Sequence, residues 1–361
     1  MLLIFLSCEK TDKSLLKEPE AESRESTQTK SPSITMKIVG DILTTRNVYK
    51  KMQGHRFDDF YQYVKAFISD ADLSFANLEN PLSEIGKATD IKKENITFRA
   101  PTQSAFRLLD AGFDIVSLAN NHIMDYGPDA MFETMALLDL IQIRWIGTGA
   151  NEIEARLPRY LRVKNKIIAF LAYCDEIYGA QLADKNSPGP PLLTKKAVLE
   201  DVFKVKQRKI ADYIFVSLHW GPEMMIHHKR DQVDLAHEIL DTGADMIIGH
   251  HPHVLQGIEF YKGKPIIYSL GNFTFDMDTK WTETYRSMIV SVGLGDRGVE
   301  RFEVYPVRIP YFKYYPTLAK GEDAKEILKD IIDRSSIYYE SPFIYGEGFI
   351  YVDQEVLAKK E

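Results

Sequence analysis

The chain has 361 residues, 45% hydrophobic and 11% aromatic, enough apolar material for a sizeable core. A formal net charge of -7, with no long basic block or regularly spaced basic helix, leaves no footprint for nucleic acid. Two cysteines, Cys8 and Cys174, exclude a disulfide framework.

The first residues are apolar from Leu2 to Leu6 and end in the small Ser7 just before Cys8. This resembles the tail of a bacterial lipoprotein signal, truncated to residues 1–8, with Cys8 as the lipidated residue. Residues 9–33 are rich in Glu, Lys, Ser and Thr and cannot bury enough surface to fold. The expectation is a disordered polar tether over 9–35, joining a membrane lipid anchor to a single extracytoplasmic domain over 36–361. No later run is long and apolar enough to span a bilayer.

From Ile34 onward strand and helix signals alternate. Residues 35–39 read as a strand ending at Gly40-Asp41, and 57–71 have helical spacing. Residues 73–77 form a strand-like run reaching Glu79. A helix over 104–111 is closed by Gly112. A strand over 114–119 ends at Asn120-Asn121-His122, and 128–141 read as a helix with Pro128 near its start. Residues 167–173 are strand-like, and Cys174 after them reads as a small buried hydrophobe. Residues 213–218 form a buried strand ending at His219-Trp220-Gly221. After a helix over 232–240, the apolar Ile247-Ile248 run stops at Gly249-His250-His251-Pro252-His253. Residues 257–261 and 265–269 flank Lys262-Gly263-Lys264, a hairpin signal. Further strands are expected over 288–294 and 302–307, and a helix over 322–334. Short strands separated by helices favour a layered α/β sheet, whose ligand sites lie at the strands' carboxyl ends.

The strand ends collect Asp41, Glu79, Asn121, His122, His219, His251 and His253. On an extended chain His251 and His253 share one face and His250 points the other way, as a structural residue. Carboxylate oxygens and neutral imidazoles suit one or two divalent ions, Mn, Fe or Zn, and two such ions can clamp a phosphoryl group. An unliganded histidine beside them could protonate a leaving oxygen. Each residue also has a plainer reading. Asp41 could cap a turn, Glu79 could pair with a surface lysine, Asn120 and Asn121 could form turns, and His122 and His219 could be core histidines. Glu223 is a candidate supporting group, while His227 and His228 sit in a polar stretch and are expected to be solvated. There is no nucleophile elbow and no phosphate-binding glycine loop.

Several long motifs, in order, resemble the CapA family of capsule or poly-γ-glutamate synthesis proteins (PgsA-like). They are Phe98-Arg99-Ala100-Pro101, the run from Ala111 to His122, Asp125-Tyr126-Gly127, Ser217 to Glu223, Gly249 to Gly257, and Ser269-Leu270-Gly271-Asn272-Phe273. The resemblance covers about two-thirds of the chain. That family resembles calcineurin-like metallophosphoesterases, which implies a four-layer α/β/β/α sandwich. It also implies roles: Asp41, Glu79, Asn121, His219, His251 and His253 as metal ligands, Glu79 as the bridging carboxylate and His122 as general acid. Asn120, Glu223, His250 and Asn272 would support them. The implied partners are an envelope polymer or a phosphorylated small molecule, and membrane polymer-synthase subunits. The chain departs from the phosphoesterase pattern twice. Asp41 is followed by Ile42 and Leu43 where Asp-x-His is usual, and the bridging carboxylate is Glu, one methylene longer.

Overall fold

A computed structural model of the protein describes residues 34–53, 60–277, 281–338 and 340–358. Cys8 and the polar stretch up to Ser33 lie outside the described residues. Along the chain run β1 (Ile34–Ile42), α1 (Arg46–Gln53), α2 (Lys65–Ser69), β2 (Leu73–Leu78), α3 (Ala105–Ala111), β3 (Ile115–Ser117), α4 (Gly127–Leu140) and β4 (Arg144–Ile146). Then come α5 (Glu152–Ala155), β5 (Arg159–Val163), β6 (Lys166–Cys174), α6 (Lys195–Arg208), β7 (Tyr213–His219), α7 (Arg230–Thr242) and β8 (Met246–His250). The β-rich remainder holds β9 (Ile258–Tyr261), β10 (Lys264–Ile267), β11 (Asn272–Thr274), β12 (Arg286–Gly295), β13 (Gly298–Arg308) and β14 (Thr317–Leu318). It closes with α8 (Gly321–Ser335), β15 (Phe343–Tyr345), β16 (Ile350–Val352) and α9 (Gln354–Ala358).

Among the described residues these strands form two sheets. In the first, β1 to β4 run parallel in sequence order, and β12, β13, β16 and β15 extend it antiparallel from β1. In the second, β6, β7, β8 and β10 are parallel, with β5 and β9 as antiparallel edges. The parallel strands are nearly continuous apolar runs because both of their faces are covered. One core lies between the sheets, where Met36, Ile38 and Phe75 meet Phe170, Phe215 and Ile248. A second packs the outer face of the first sheet against α1 to α4 through residues such as Ala76, Leu108 and Met131. A third packs the second sheet against α6 and α7 through Val202, Val216 and Ile239. The result is four layers, helix, sheet, sheet, helix.

β1 starts at Ile34, two residues before the expected domain boundary, because Ile34 is fully buried and pairs with Leu294. Of the helical spacing over 57–71, the described residues 60–71 hold α2, preceded by turns. The 9–10 hairpin closes on Lys262 and Gly263, both with positive φ (51° and 74°), the backbone that a two-residue hairpin turn requires. Among the described residues no helix is long and apolar enough to cross a membrane.

Candidate metal centre

The carboxyl ends of β1, β2 and β3 in one sheet and of β7 and β8 in the other meet at one rim. Gly40 lets β1 come close to the chain before β11: a Cβ there would lie 1.9 Å from the Gly271 carbonyl oxygen. Asp41 can therefore hydrogen-bond through its backbone to Gly271 and stand beside Asn272 in register. β8 ends at His250, and the next residues leave the extended conformation. His251 and His253 have φ of 98° and 58°, costly for non-glycine residues. The alternation argument for these histidines thus fails, although both rings still face the site. His250 is not turned away. Its Nδ1 lies 2.9 Å from Asp41 Oδ1.

Asp41 and Glu79 are fully buried, which removes the turn-cap and surface-pair readings. Glu79 Oε1 lies 3.5 Å from His253 Nε2 and 3.9 Å from His219 Nε2, and His253 Nδ1 is 3.6 Å from Asp41 Oδ2. His219 Nε2 is 3.0 Å from Asn121 Oδ1, and the His219 and His251 rings are 4.7 Å apart. Two clusters of potential ligand atoms result: Glu79, His251 and His253, and Asp41, Glu79 and His219. Glu79 belongs to both. Glu79 Oε1 and His251 Nδ1 have no hydrogen-bond partner among the described residues, although both are buried. Such atoms are costly unless something fills the gap between them, and a divalent cation suits one carboxylate oxygen and one neutral imidazole.

The electrostatics agree with a cation site. Burial and the charges of Asp41 and Glu223 push Glu79 well above the usual carboxylate range. Burial opposes ionisation of Asp41, but the His250 hydrogen bond, the nearby His253 and the Asn77 amide outweigh it and hold its pKa down. Burial and the neighbouring imidazoles push His219 far below its ordinary value, and burial with His253 takes His251 to about 3. Both rings are neutral at pH 7, the form that binds metals.

Around this centre the expected supporting residues divide. Asn272 Oδ1 meets His253 Nδ1 at 2.9 Å, which places the proton on Nδ1 and leaves Nε2 toward Glu79. Asn120 Oδ1 takes the backbone N–H groups of His122 and Ile123, fixing the loop after β3. Glu223 lines the cavity wall and acts on Glu79 through its charge. His122 sits beside the centre, its Nδ1 2.7 Å from Asp125 Oδ2 and its ring stacked 4.1 Å from Phe98. Burial and the adjacent Lys92 push its pKa to about 4. Leu43, where a ligand histidine is usual, is buried with Phe98 and Phe275 and is part of an apolar wall. Asn121, His122, His251 and His253 face a cavity of about 970 Å³, bounded also by Arg46, Asp175, Glu176 and Lys229.

The sequence does not single out Asn77 and Lys92 of this site, and Asp125 enters only within the Asp125-Tyr126-Gly127 motif, without a role. Asn77 Nδ2 donates to Asp41 Oδ1 (2.9 Å) and Glu79 Oε2 (3.2 Å). Lys92 Nζ, buried, donates to the Asn121 carbonyl (2.5 Å) and Asp125 Oδ1 (2.7 Å). Outside the site, His228 is buried rather than solvated, stacked 3.6 Å from Tyr268.

Residues 35–277 match the family described as bacterial capsule synthesis protein PGA_cap. The chain is 33% identical over 303 residues to the "Capsule biosynthesis protein CapA" of Bacillus anthracis, covering 82% of this chain and 73% of that one. It is 33% identical over 308 residues to the "PGA biosynthesis protein CapA" of Bacillus subtilis (strain 168), covering 85% and 80%. Among solved structures it aligns with the calcineurin-like phosphoesterase YfkN from Bacillus subtilis at a TM-score of 0.41 and 11% identity, covering 80% of this chain and 89% of that chain. On the family match and the extent of these identities, the chain belongs to the bacterial capsule synthesis PGA_cap family.

Proposed function

We propose that this protein is a metal-dependent hydrolase of the phosphoester-cleaving kind, serving synthesis of a capsule or poly-γ-glutamate polymer at the cell envelope. The observation that carries the reading is the pair of buried ligand clusters sharing Glu79, whose Oε1 has no hydrogen-bond partner among the described residues. Asp41, Glu79, Asn121, His219, His251 and His253 would hold one or two Mn, Fe or Zn ions. A cation there supplies Lewis-acid polarisation of a phosphoryl oxygen and a water acidic enough to attack it. The chain's own groups do the rest. His122 Nδ1 meets both Asp125 Oδ2 (2.7 Å) and Lys92 Nζ (3.0 Å); the shorter carboxylate contact favours a proton on Nδ1, the tautomer in which Nε2 of the neutral ring is an acceptor. To protonate a leaving oxygen His122 must first take up a proton, which the negative charge of an arriving phosphate favours. The substrate would be an envelope polymer or a phosphorylated small molecule, and membrane polymer-synthase subunits the partners. A lipid on Cys8 would hold the protein at the outer face of a membrane.

The test is metal analysis of protein purified without chelator, followed by an aryl phosphate assay with Mn²⁺, Fe²⁺ and Zn²⁺. Stoichiometric ion and turnover are expected, with both lost in the folded His251→Ala/His253→Ala variant. No bound ion and no turnover with any of the three would refute the enzyme reading. Unimpaired polymer production by cells carrying that double variant would favour a non-catalytic accessory role.

A further inference from the structure

Asn77 stands between the two carboxylates of the centre, with its amide nitrogen on one oxygen of each. Its orientation is forced by a chain of hydrogen bonds. Asn120 Oδ1 is taken by the backbone N–H groups of His122 and Ile123, so Asn120 Nδ2 must face the other way, toward Asn77 Oδ1 (3.1 Å) and the Leu78 carbonyl (2.8 Å). With its oxygen so engaged, Asn77 turns Nδ2 toward the carboxylates. It reaches Asp41 Oδ1 and Glu79 Oε2, one oxygen of each. His250 Nδ1 takes the same Asp41 oxygen. The oxygens that remain are Glu79 Oε1, without a hydrogen-bond partner among the described residues and 3.5 Å from His253 Nε2, and Asp41 Oδ2, with a 3.3 Å His251 N–H contact and His253 Nδ1 at 3.6 Å.

We propose that Asn77 is a positioning residue that leaves Glu79 and, jointly with His250, Asp41 only one oxygen each for an ion, and so biases the centre toward imidazole-binding transition metals and against Ca²⁺. Calcium favours six to eight oxygens and often takes both oxygens of a carboxylate, whereas zinc and manganese accept single carboxylate oxygens beside imidazole. An amide holding one oxygen of each carboxylate selects between these modes without touching the ion. The inference rests on the proposed metal site but can fail independently of it.

The experiment is calorimetric titration of the chelator-stripped full chain with Mn²⁺ and Ca²⁺, comparing wild type with Asn77→Ala. The ratio of Mn²⁺ to Ca²⁺ affinity is expected to fall at least fivefold in the variant, because Glu79 becomes free to bind through two oxygens while Asp41 Oδ1 keeps only its His250 contact. A smaller change, in a variant with wild-type circular dichroism, overturns the role of Asn77 and leaves the metal site standing. Should Asn77→Ala fail to fold, a crystal structure of the wild type with Mn²⁺ decides. One oxygen from each of Asp41 and Glu79 is expected on the ion, and two from either would overturn the proposal. No binding of any ion by the wild type would instead remove the proposed function and this role with it.

Discussion

Lys92 shows how much of the site depends on residues that bind nothing. Its ammonium is buried against Asp125, and Asp125 in turn receives the Phe98 N–H and meets His122 Nδ1. Burial lowers the Lys92 pKa, and the Asp125 carboxylate opposes that shift. Removing one member of a buried pair leaves the other charge uncompensated, which typically costs ~3–5 kcal/mol. Lys92→Met is therefore expected to lose stability in that range by urea denaturation, whereas Lys93→Met, on an exposed neighbour, should change it by less than ~0.5 kcal/mol. Equal, small effects of the two substitutions would show that the buried pair contributes nothing. Lys92 could not be singled out from the sequence: Ile91-Lys92-Lys93-Glu94 reads as a solvated polar stretch. Asn77 left a faint trace. It is a residue depleted in strands, placed inside a strand-like run two positions before Glu79 and therefore on the same face.

At the scale of elements, the parallel strands were legible because both of their faces are buried, so their apolar runs are unbroken. Ends were less legible than middles. β8 stops at His250 because His251 and His253 take left-handed backbone, and no alternation rule anticipates that. α6 was hidden for a different reason: its buried face is Ala197, Val198, Val202 and Val205, and valine is a poor helix former whose place is set by packing on the second sheet. The position most exposed to a backbone-level test is Gly40. Gly40→Ala would press a methyl against the Gly271 carbonyl and force β1 and β11 apart, a strain of ~1–3 kcal/mol. Because Asp41 follows it, the variant is expected to melt earlier and also to bind Mn²⁺ more weakly in calorimetry. A lower melting temperature with unchanged Mn²⁺ affinity would mean that Asp41 does not contribute to the ion.

Across the whole molecule, several buried imidazoles are held neutral, and this makes acid the natural route to unfolding. His228 is the clearest case because it lies away from the metal centre, on the far side of the second sheet's Tyr268. Burial lowers its pKa to about 4, with Glu259 opposing and His227 assisting. The unfolded chain, at about 6.5, then binds more protons than the native one wherever the pH lies between the two values. Stability must therefore rise with pH across that window, and it is lost as pH falls from about 6.5 to about 4. At ~1.4 kcal/mol for each pH unit, the interval caps this group's contribution at ~3 kcal/mol. His122 and His251, lowered to about 4 and about 3, act in the same direction, so the acid limb of the metal-free protein is a sum. His228→Phe keeps a planar ring against Tyr268 and removes the titration; the buried Nδ1 it deletes has no partner among the described residues. Its urea-unfolding free energy should match wild type within ~1 kcal/mol at pH 7.5 and fall less steeply between pH 6.5 and 4.5. Parallel curves for the two proteins over that range would show that His228 is protonated equally in the native and unfolded states, and that its burial does not shape the acid limit.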